Sequence, residues 1–555
     1  MQNNSMRLIL FIALSGIILF GYNMLFMPKT PQKTAGSGEN TGGEEKGIAP
    51  EATKPFEPGK KGFVQKMNKE SKIKSLPEHK YTLENGLLKI TFSSIGAVIK
   101  SCKLKNYSDT SAEKEKKEFL ELIPNKSSYT YHRISSPEYE LADTTWKYDG
   151  TSESEGKKTI TFRKTLKAGV AVIREYSLSP GSYLLDSKIK FSNNTGRAVA
   201  FTGLRLTWGP NIHFLPADVD KHKDGFYQFN KIVYPEEGDD TKTIDVDLKA
   251  KEDEIIPVGG KPGWVAFKDL YFMSSFIFDS AGDYKNINIR QNTGGFTYLD
   301  VHIKDLFVNE NSSKAISVNS FIGPQEYKRL KQLKMEGVVE LGWIRFLGIW
   351  MFYTLDFIHN LTHNYGFAIL ILTLLIRLLL WWPSHNSYRH MKETQQKMSI
   401  IKPRMETLKK VYKDDPQKMN EETMKLYKEY KINPFGGCLP MLLQLPIFIA
   451  LYQTLINMVE LKGASFIWWI QDLSRPDPFY ILPIFMGASM FVQQKMSQAS
   501  TAGMGSGSQQ KIFLYGLPVF LTFLAFSWPS GLLLYWGMSN VLAIIQQVFV
   551  NKSKA

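Results

Sequence analysis

Six stretches of this chain are too apolar to stay in water unpaired, and all lie in its first thirty or last two hundred residues. They are 7–27 ("RLILFIALSGIILFGYNMLFM"), 366–383, 438–459, 479–494, 512–528 and 531–549. About 20 apolar residues in a helix cross a ~30 Å hydrocarbon core, so most of these segments are near the right length. The 250 or so residues between them are polar, and the overall charged fraction of 22% conceals that division. The reading is a multi-domain membrane protein carrying a large water-soluble domain.

Residues 1–27 lie where a signal peptide would lie, but the apolar run is long and no small-x-small cleavage pattern follows it. An uncleaved signal-anchor helix is expected. Residues 28–65 are rich in Pro, Gly, Lys, Glu and Thr, a composition that buries too little surface to offset ordering entropy, and are expected to form a disordered linker. Residues 66–335 alternate β-prone runs with turn signals: "GLLKITFSSIGAVIKSCKL", "KKTITFRKTL", "VAVIREYSL", "YLLDSKIKFSN" and "VAFTGLRLTWG". Period-two patterning over this length predicts an antiparallel sandwich. "GPQEYKRLKQLKM" (323–335) reads as a helix leading to the membrane. Residues 338–362 carry Trp343, Phe346, Trp350, Met351, Phe357, Ile358 and Leu361 at three/four spacing, which predicts an interfacial amphipathic helix with these on one face. Residues 366–550 hold the remaining five spans.

Loop charge sets the orientation. Residues 384–437 hold twelve Lys/Arg against seven Asp/Glu, loop 495–511 holds two lysines and no acid, and the last five residues hold two lysines. The positive-inside rule puts these in the cytoplasm, and with them both termini, leaving the β domain outside. The net charge of +15 fits that rule. No zinc-ligand spacing and no aromatic-basic RNA signature accompanies it, so direct nucleic-acid recognition is not expected. Only Cys102 and Cys438 occur, too few for a disulfide framework in the soluble domain. No metal or cofactor motif is present, and "TAGMGSGSQQKI" lacks the Gly-Lys-Ser/Thr that cradles phosphate.

The segment "AILILTLLIRLLLWWP" (368–383) contains one charge, Arg377. An arginine at membrane depth costs from about 3 to more than 10 kcal/mol. No other span supplies an Asp or Glu; Glu460 sits at an outer end. Arg377 lies six residues before Pro383, ~9 Å from the cytoplasmic end, so one reading is snorkelling to the inner headgroups. The other is a wet cavity open to the cytoplasm. Thr373 lies one turn from Arg377, and Gln444, Gln453, Gln493, Gln494, Asn540, Gln546 and Gln547 lie in or near other spans. Such groups solvate a guanidinium without neutralising it, and an unneutralised charge attracts acidic segments of another polypeptide.

The loop after this span is patterned. Met391, Met398, Ile401, Met405, Leu408 and Tyr412 follow heptad-like spacing, "DDP" (414–416) marks a turn, and Met419, Thr423, Leu426 and Tyr430 follow. A helical hairpin at 384–433 is expected, with methionines along its seam and Pro403 kinking its first helix. Methionine surfaces also receive varied apolar segments, so Met391, Met398, Met405 and Met419 are candidate substrate contacts.

The blocks "LTLLIRLLLWWP", "YKEYKINPFGGCLPMLLQLPIFIALYQTL", "WIQDLSRPDPFYILPIFMG" and "WPSGLLLYWGMSNVLAIIQQ" closely resemble the YidC/Oxa/Alb membrane protein insertases, in the Gram-negative form. The resemblance implies an inner-membrane insertase and chaperone, not an enzyme, acting alone or with the Sec translocon. It implies a five-helix core around a hydrophilic groove, whose residues match Arg377, Thr373, Tyr535 and Trp536 here; the polar residues Gln444 and Gln493 of other spans complete the candidate groove set. The second position of the family's aromatic pair is often tyrosine and is Trp536 here. It also implies an all-β supersandwich for the periplasmic domain. The implied partners are nascent membrane proteins, the Sec translocon, membrane lipids, and the ribosome and signal-recognition pathway through the cytoplasmic loops. No cofactor is implied.

Two other classes fit the residues less well. An anion channel or transporter would use an intramembrane arginine, but no second charged ring accompanies it. A tethered external enzyme or sugar-binding protein would need a catalytic motif, and neither HExxH nor Gly-x-Ser-x-Gly occurs.

Overall fold

Period-two alternation becomes sheet wherever it was strongest. A computed structural model describes residues 77–108, 119–123, 131–212, 231–236, 241–246, 253–280, 282–293, 296–342, 344–413, 415–432, 439–501 and 515–552. The expected signal anchor and linker lie outside the described residues, as do Trp343, Cys438 and most of loop 495–511. In strand Val170–Leu178 every second residue is buried. Four of those inward residues are apolar or aromatic; the fifth is Arg174, fully buried. Its Nη atoms donate to the carbonyls of Gly96 (2.9 Å) and His132 (2.6 Å) and the guanidinium lies over the Tyr176 ring, contacts that offset much of the cost of burying the cation.

The largest sheet has nine antiparallel strands. Its order is Thr241–Asp245, Lys231–Pro235, Trp264–Lys268, Phe272–Phe278, Ser312–Pro324, Leu184–Asn193, Val170–Leu178, Lys157–Thr165 and Lys147–Ser154. A five-stranded sheet is ordered Glu254–Pro257, Tyr284–Asn292, Phe296–Ile303, Arg205–Trp208 and Arg133–Ser135. A four-stranded meander spans Lys80–Glu84 to Phe119–Ile123. Their inner faces share a core containing Trp146, Phe162, Tyr176, Trp208 and Phe276. This half of the molecule is sheet-rich, as the alternation predicted.

The linking helix is shorter than the sequence suggested. Gly323 and Pro324 end the long strand Ser312–Pro324, so helix α1 is Tyr327–Gln332. From here the chain is helical: α2 Arg345–Thr362, α3 Tyr365–Leu379, α4 Trp381–Val411, α5 Pro416–Glu429, α6 Leu439–Asn457, α7 Ile481–Thr501, α8 Leu517–Ala525 and α9 Ser530–Lys552. Each of the five apolar spans expected after residue 365 has a helix, yet the count of membrane crossings is not reached by length and composition. Among the described residues only α9 is long and apolar enough by itself, and α3 qualifies jointly with α4 across a 63° bend.

Helix α2 differs from its one-faced expectation. Met351 and Ile358 are buried with Phe352 and Leu355 against the protein, whereas Phe346, Trp350, Phe357 and Leu361 are exposed along a second, outer stripe. The seam of the α4–α5 hairpin is also redistributed. Met398, Ile401, Leu426, Tyr427 and Ile432 are its buried cluster, with Met405 packed against it. Met391 instead packs with Tyr388 and Val550 of α9, because it lies near the base of the hairpin rather than opposite α5. Met419 is half-buried and is not among the seam residues. Pro403 lies inside α4, whose helical assignment runs through it. The turn is as read: Asp415 caps α5 by accepting from Lys418 N, and Pro416 occupies the first turn, where its missing N–H costs nothing.

Candidate functional site: a polar chain around Arg377

Helix α3 starts with Asn364, whose side chain accepts from Gly366 N and Phe367 N. Its Nδ2 donates to the carbonyl of Phe466 at 3.1 Å, which fixes the N-terminal end of α3 against the 465–466 loop. Inward-facing Ala368, Ile369, Leu372, Thr373 and Ile376 are buried, whereas Phe367, Ile371, Leu374, Leu375, Leu378 and Leu379 are exposed. Exposed apolar belts continue on α7 (Ile484, Phe485, Val492), α8 (Val519, Phe520, Phe523) and α9 (Ile545, Phe549). Belts this extensive on neighbouring helices match a lipid solvent rather than water.

Arg377 is half-buried and points inward. Its Nη2 donates to Ser539 Oγ on α9 at 2.7 Å, and its buried Nε has no hydrogen-bond partner. Among the described residues no carboxylate pairs with it. Snorkelling to headgroups is therefore not the conformation found. One turn before Ser539, the hydroxyl of Tyr535 accepts from Gln444 Nε2 of α6 and faces Ser539. A polar chain thus runs from Gln444 through Tyr535 and Ser539 to Arg377, joining α6, α9 and α3. Beyond the C-terminal end of α3, the Tyr388 hydroxyl on α4 faces both Gln493 of α7 and Arg377.

The candidate residues separate into two groups. Arg377, Gln444, Gln493 and Tyr535 contribute side-chain polar groups to this assembly. Thr373 is adjacent but fully buried, and its hydroxyl donates to the Ile369 carbonyl of its own helix at 2.6 Å. Trp536 packs on Phe448 (4.6 Å between ring centroids) and stacks on Trp528 (5.4 Å), on the aromatic side of α9. Ser539 and Tyr388 were missed. Ser539 lies four residues after Tyr535 and Tyr388 eleven after Arg377, so helical periodicity could have pointed to both. Asn540 also finds a partner, donating to Ser489 Oγ of α7 at 3.0 Å, and Gln546 donates to the Trp381 carbonyl at 2.9 Å.

A second polar centre occupies the C-terminal end of α6. A cavity of about 10 Å3 is bordered by Gln325, Tyr327, Phe352, Thr454, Asn457 and Glu460. It lies where the β domain, α2 and α6 meet. Glu460 Oε2 is buried without a partner. Residues 444 to 457 of α6 rise about 20 Å, so Glu460 is remote from the Gln444–Tyr535 contact and cannot serve Arg377. Among the described residues, no cluster of His, Cys, Asp and Glu could hold a metal ion.

Comparisons with known proteins concern the chain as a whole. The family model for the YidC periplasmic domain matches residues 80–354, and that for the 60Kd inner membrane protein matches residues 357–555. The membrane protein insertase YidC of Syntrophus aciditrophicus is 32% identical over 488 residues, covering 86% of this chain and 85% of that protein. That of Geobacter sulfurreducens is 34% identical over 472 residues, covering 84% of each. That of Geotalea uraniireducens is 31% identical and covers 99% of each. A solved structure of an active YidC insertase aligns with 86% of this chain and 94% of its own at 15% identity, with a TM-score of 0.37, too low to add to the assignment. The relatives are insertases, which displaces the channel and tethered-enzyme readings. With identity above 30% along nearly its whole length and a polar assembly set among lipid-type apolar belts, this chain belongs to the YidC family of membrane protein insertases.

Proposed function

We propose that this protein inserts membrane proteins by offering Arg377 as an unneutralised cation partway into the bilayer, in a hydrophilic groove open to the cytoplasm and to lipid. The observation that carries this is the inward Arg377, held by a hydroxyl and matched by no carboxylate among the described residues. An acidic or polar tail of a nascent protein would exchange part of its hydration for the guanidinium, Gln444, Gln493 and Tyr535. Its apolar segment would meanwhile leave along the exposed faces of α3 and α7. The groove lowers the crossing barrier by shortening the stretch of hydrocarbon that a hydrophilic segment must traverse. Thr373 and Trp536 belong to this reading as wall residues.

The same proposal covers the topology. A signal anchor, a linker at 28–65, a periplasmic supersandwich at 66–335 and an interfacial helix within 338–362 precede a five-helix core at 366–550. Both termini and the hairpin 384–433 face the cytoplasm. The outer stripe of α2 (Phe346, Trp350, Phe357, Leu361) supports its interfacial placement. The Sec translocon, the ribosome and signal-recognition pathway, and lipids are proposed partners. Met391, Met398, Met405 and Met419 are proposed substrate contacts; buried Met398 needs the hairpin to open, and buried Met391 needs α4 to part from Val550 of α9.

The test is pulse-labelled insertion of several substrates in cells depleted of their own insertase and supplied with this protein, Arg377→Ala or Arg377→Lys. Loss with Ala and retention with Lys supports the role of charge. Full insertion of every substrate with Arg377→Ala ends it.

A further inference from the structure

Ser539 has a chemistry suited to one particular task. An inward guanidinium with no anchor has an alternative: its long flexible stem reaches the headgroups ~9 Å away. A carboxylate anchor would hold the charge in place but cancel it. A hydroxyl accepts the donor and carries no charge. Arg377 Nη2 uses one of the five guanidinium donors on Ser539 Oγ at 2.7 Å, which leaves others for an incoming carboxylate. The acceptor is itself fixed. Ser539 is 4% exposed, and its neighbour Asn540 ties α9 to Ser489 of α7. Gly537, two residues before Ser539, lets the Phe485 ring of α7 approach to where an added Cβ would meet it at 2.8 Å. Tyr535, held by Gln444, faces the same hydroxyl. The position of Ser539 is thus set by packing against α7 and α6, independently of Arg377.

We propose that Ser539 is the positioning residue for Arg377: its hydroxyl holds the guanidinium inward without neutralising it, and so makes insertion selective for substrates whose translocated tails carry carboxylates. This rests on the proposed role of Arg377. Replacing the hydroxyl leaves the guanidinium to the Tyr388 hydroxyl beyond the C-terminal end of α3 and lets it swing toward the headgroups, so the groove loses its charge at depth although the residue is still present.

The experiment measures insertion of two substrates that differ only in acidic versus neutral residues in the translocated tail. The variants are Ser539→Ala and Ser539→Cys, each with Arg377 and with Arg377→Ala, at matched steady-state protein levels. Cysteine keeps the volume and offers only a weak acceptor. The expected result is a loss on the order of tenfold for the acidic tail with both Ser539 variants, the ratio that one charge-assisted hydrogen bond supplies. The neutral tail is inserted as by the parent, and Ser539→Ala adds no further loss to Arg377→Ala. Three results overturn the proposal while leaving the role of Arg377 intact: parental insertion by Ser539→Ala, parental insertion by Ser539→Cys alone, which indicates packing, or equal losses from Ser539→Ala in both Arg377 backgrounds. No effect of Arg377→Ala on either substrate instead removes the underlying reading.

Discussion

Asn457 at the end of α6 donates a 2.8 Å hydrogen bond to the main-chain carbonyl of Glu340, whose carboxylate lies 3.0 Å from Lys231 Nζ and 3.4 Å from Lys268 Nζ. One residue of the connecting segment therefore joins two strands of the nine-stranded sheet to the helical core. Lys268 is only 2% exposed and also donates to the Val338 carbonyl at 2.6 Å.

Glu340→Gln is expected to weaken this joint by about 1–3 kcal/mol. That is less than a fully buried pair loses, because the Glu340 side chain remains 38% exposed. Burial alone would push Glu340 up, but the Lys268 and Lys231 ammoniums overcome it and hold the carboxyl at about 2, against an ordinary 4.5. A depressed pKa means that the contribution is complete above about 4.5 and is lost as pH falls toward about 2. Thermal unfolding of the detergent-solubilised protein checks both: a lower midpoint for Glu340→Gln at neutral pH, and convergence of variant and parent in acid.

Glu460 gives the opposite slope. Burial pushes its carboxyl up to about 7 from 4.5, with Glu326 and Asp356 adding to the shift and Lys328 opposing it. A raised pKa means that the contribution is complete below about 4.5, declines as pH rises through about 7, and is level above it. Glu460→Gln keeps the shape and removes the titration. The variant should gain on the parent in melting temperature between about pH 5 and about pH 8, and equal pH profiles would refute the assignment.

Asn364→Ala removes the N-cap of α3 and the tie from Nδ2 to Phe466. A loss of about 1–2 kcal/mol is expected. Asn364→Asp retains the capping oxygen and loses only the amide donor, so chemical denaturation should rank it between the parent and the alanine variant.

Ile401, fully buried in the hairpin seam, separates hairpin stability from that of the rest. Ile401→Ala should cost about 2–4 kcal/mol locally. Hydrogen exchange should speed up across α4 and α5 after residue 396 and stay unchanged in the nine-stranded sheet.

Much of the fold was legible because burial leaves a one-dimensional record. Alternation in "VAVIREYSL" appeared as a strand with every second residue inside, and "DDP" appeared as the cap and first turn of α5. The site was legible only in part. Gln444 and Tyr535 could be named as polar residues in apolar spans, but their contact could not, since they lie 91 residues apart. Met391 matched the heptad pattern and still left the seam, because the nearer partner was Val550.

Sequence by itself determined the division into a sheet-rich domain and an apolar helical one, the hairpin turn, and, through its long motifs, the family. It also placed one arginine among apolar neighbours. Only the tertiary structure decided what Arg377 touches, that Thr373 spends its hydroxyl on its own helix, and that Glu340 joins the two halves. Periodicity reports which face of an element is buried; it does not report which face of another element lies opposite. That depends on how helices and sheets pack in three dimensions, and hydrogen bonds formed across such contacts follow the packing rather than the local pattern.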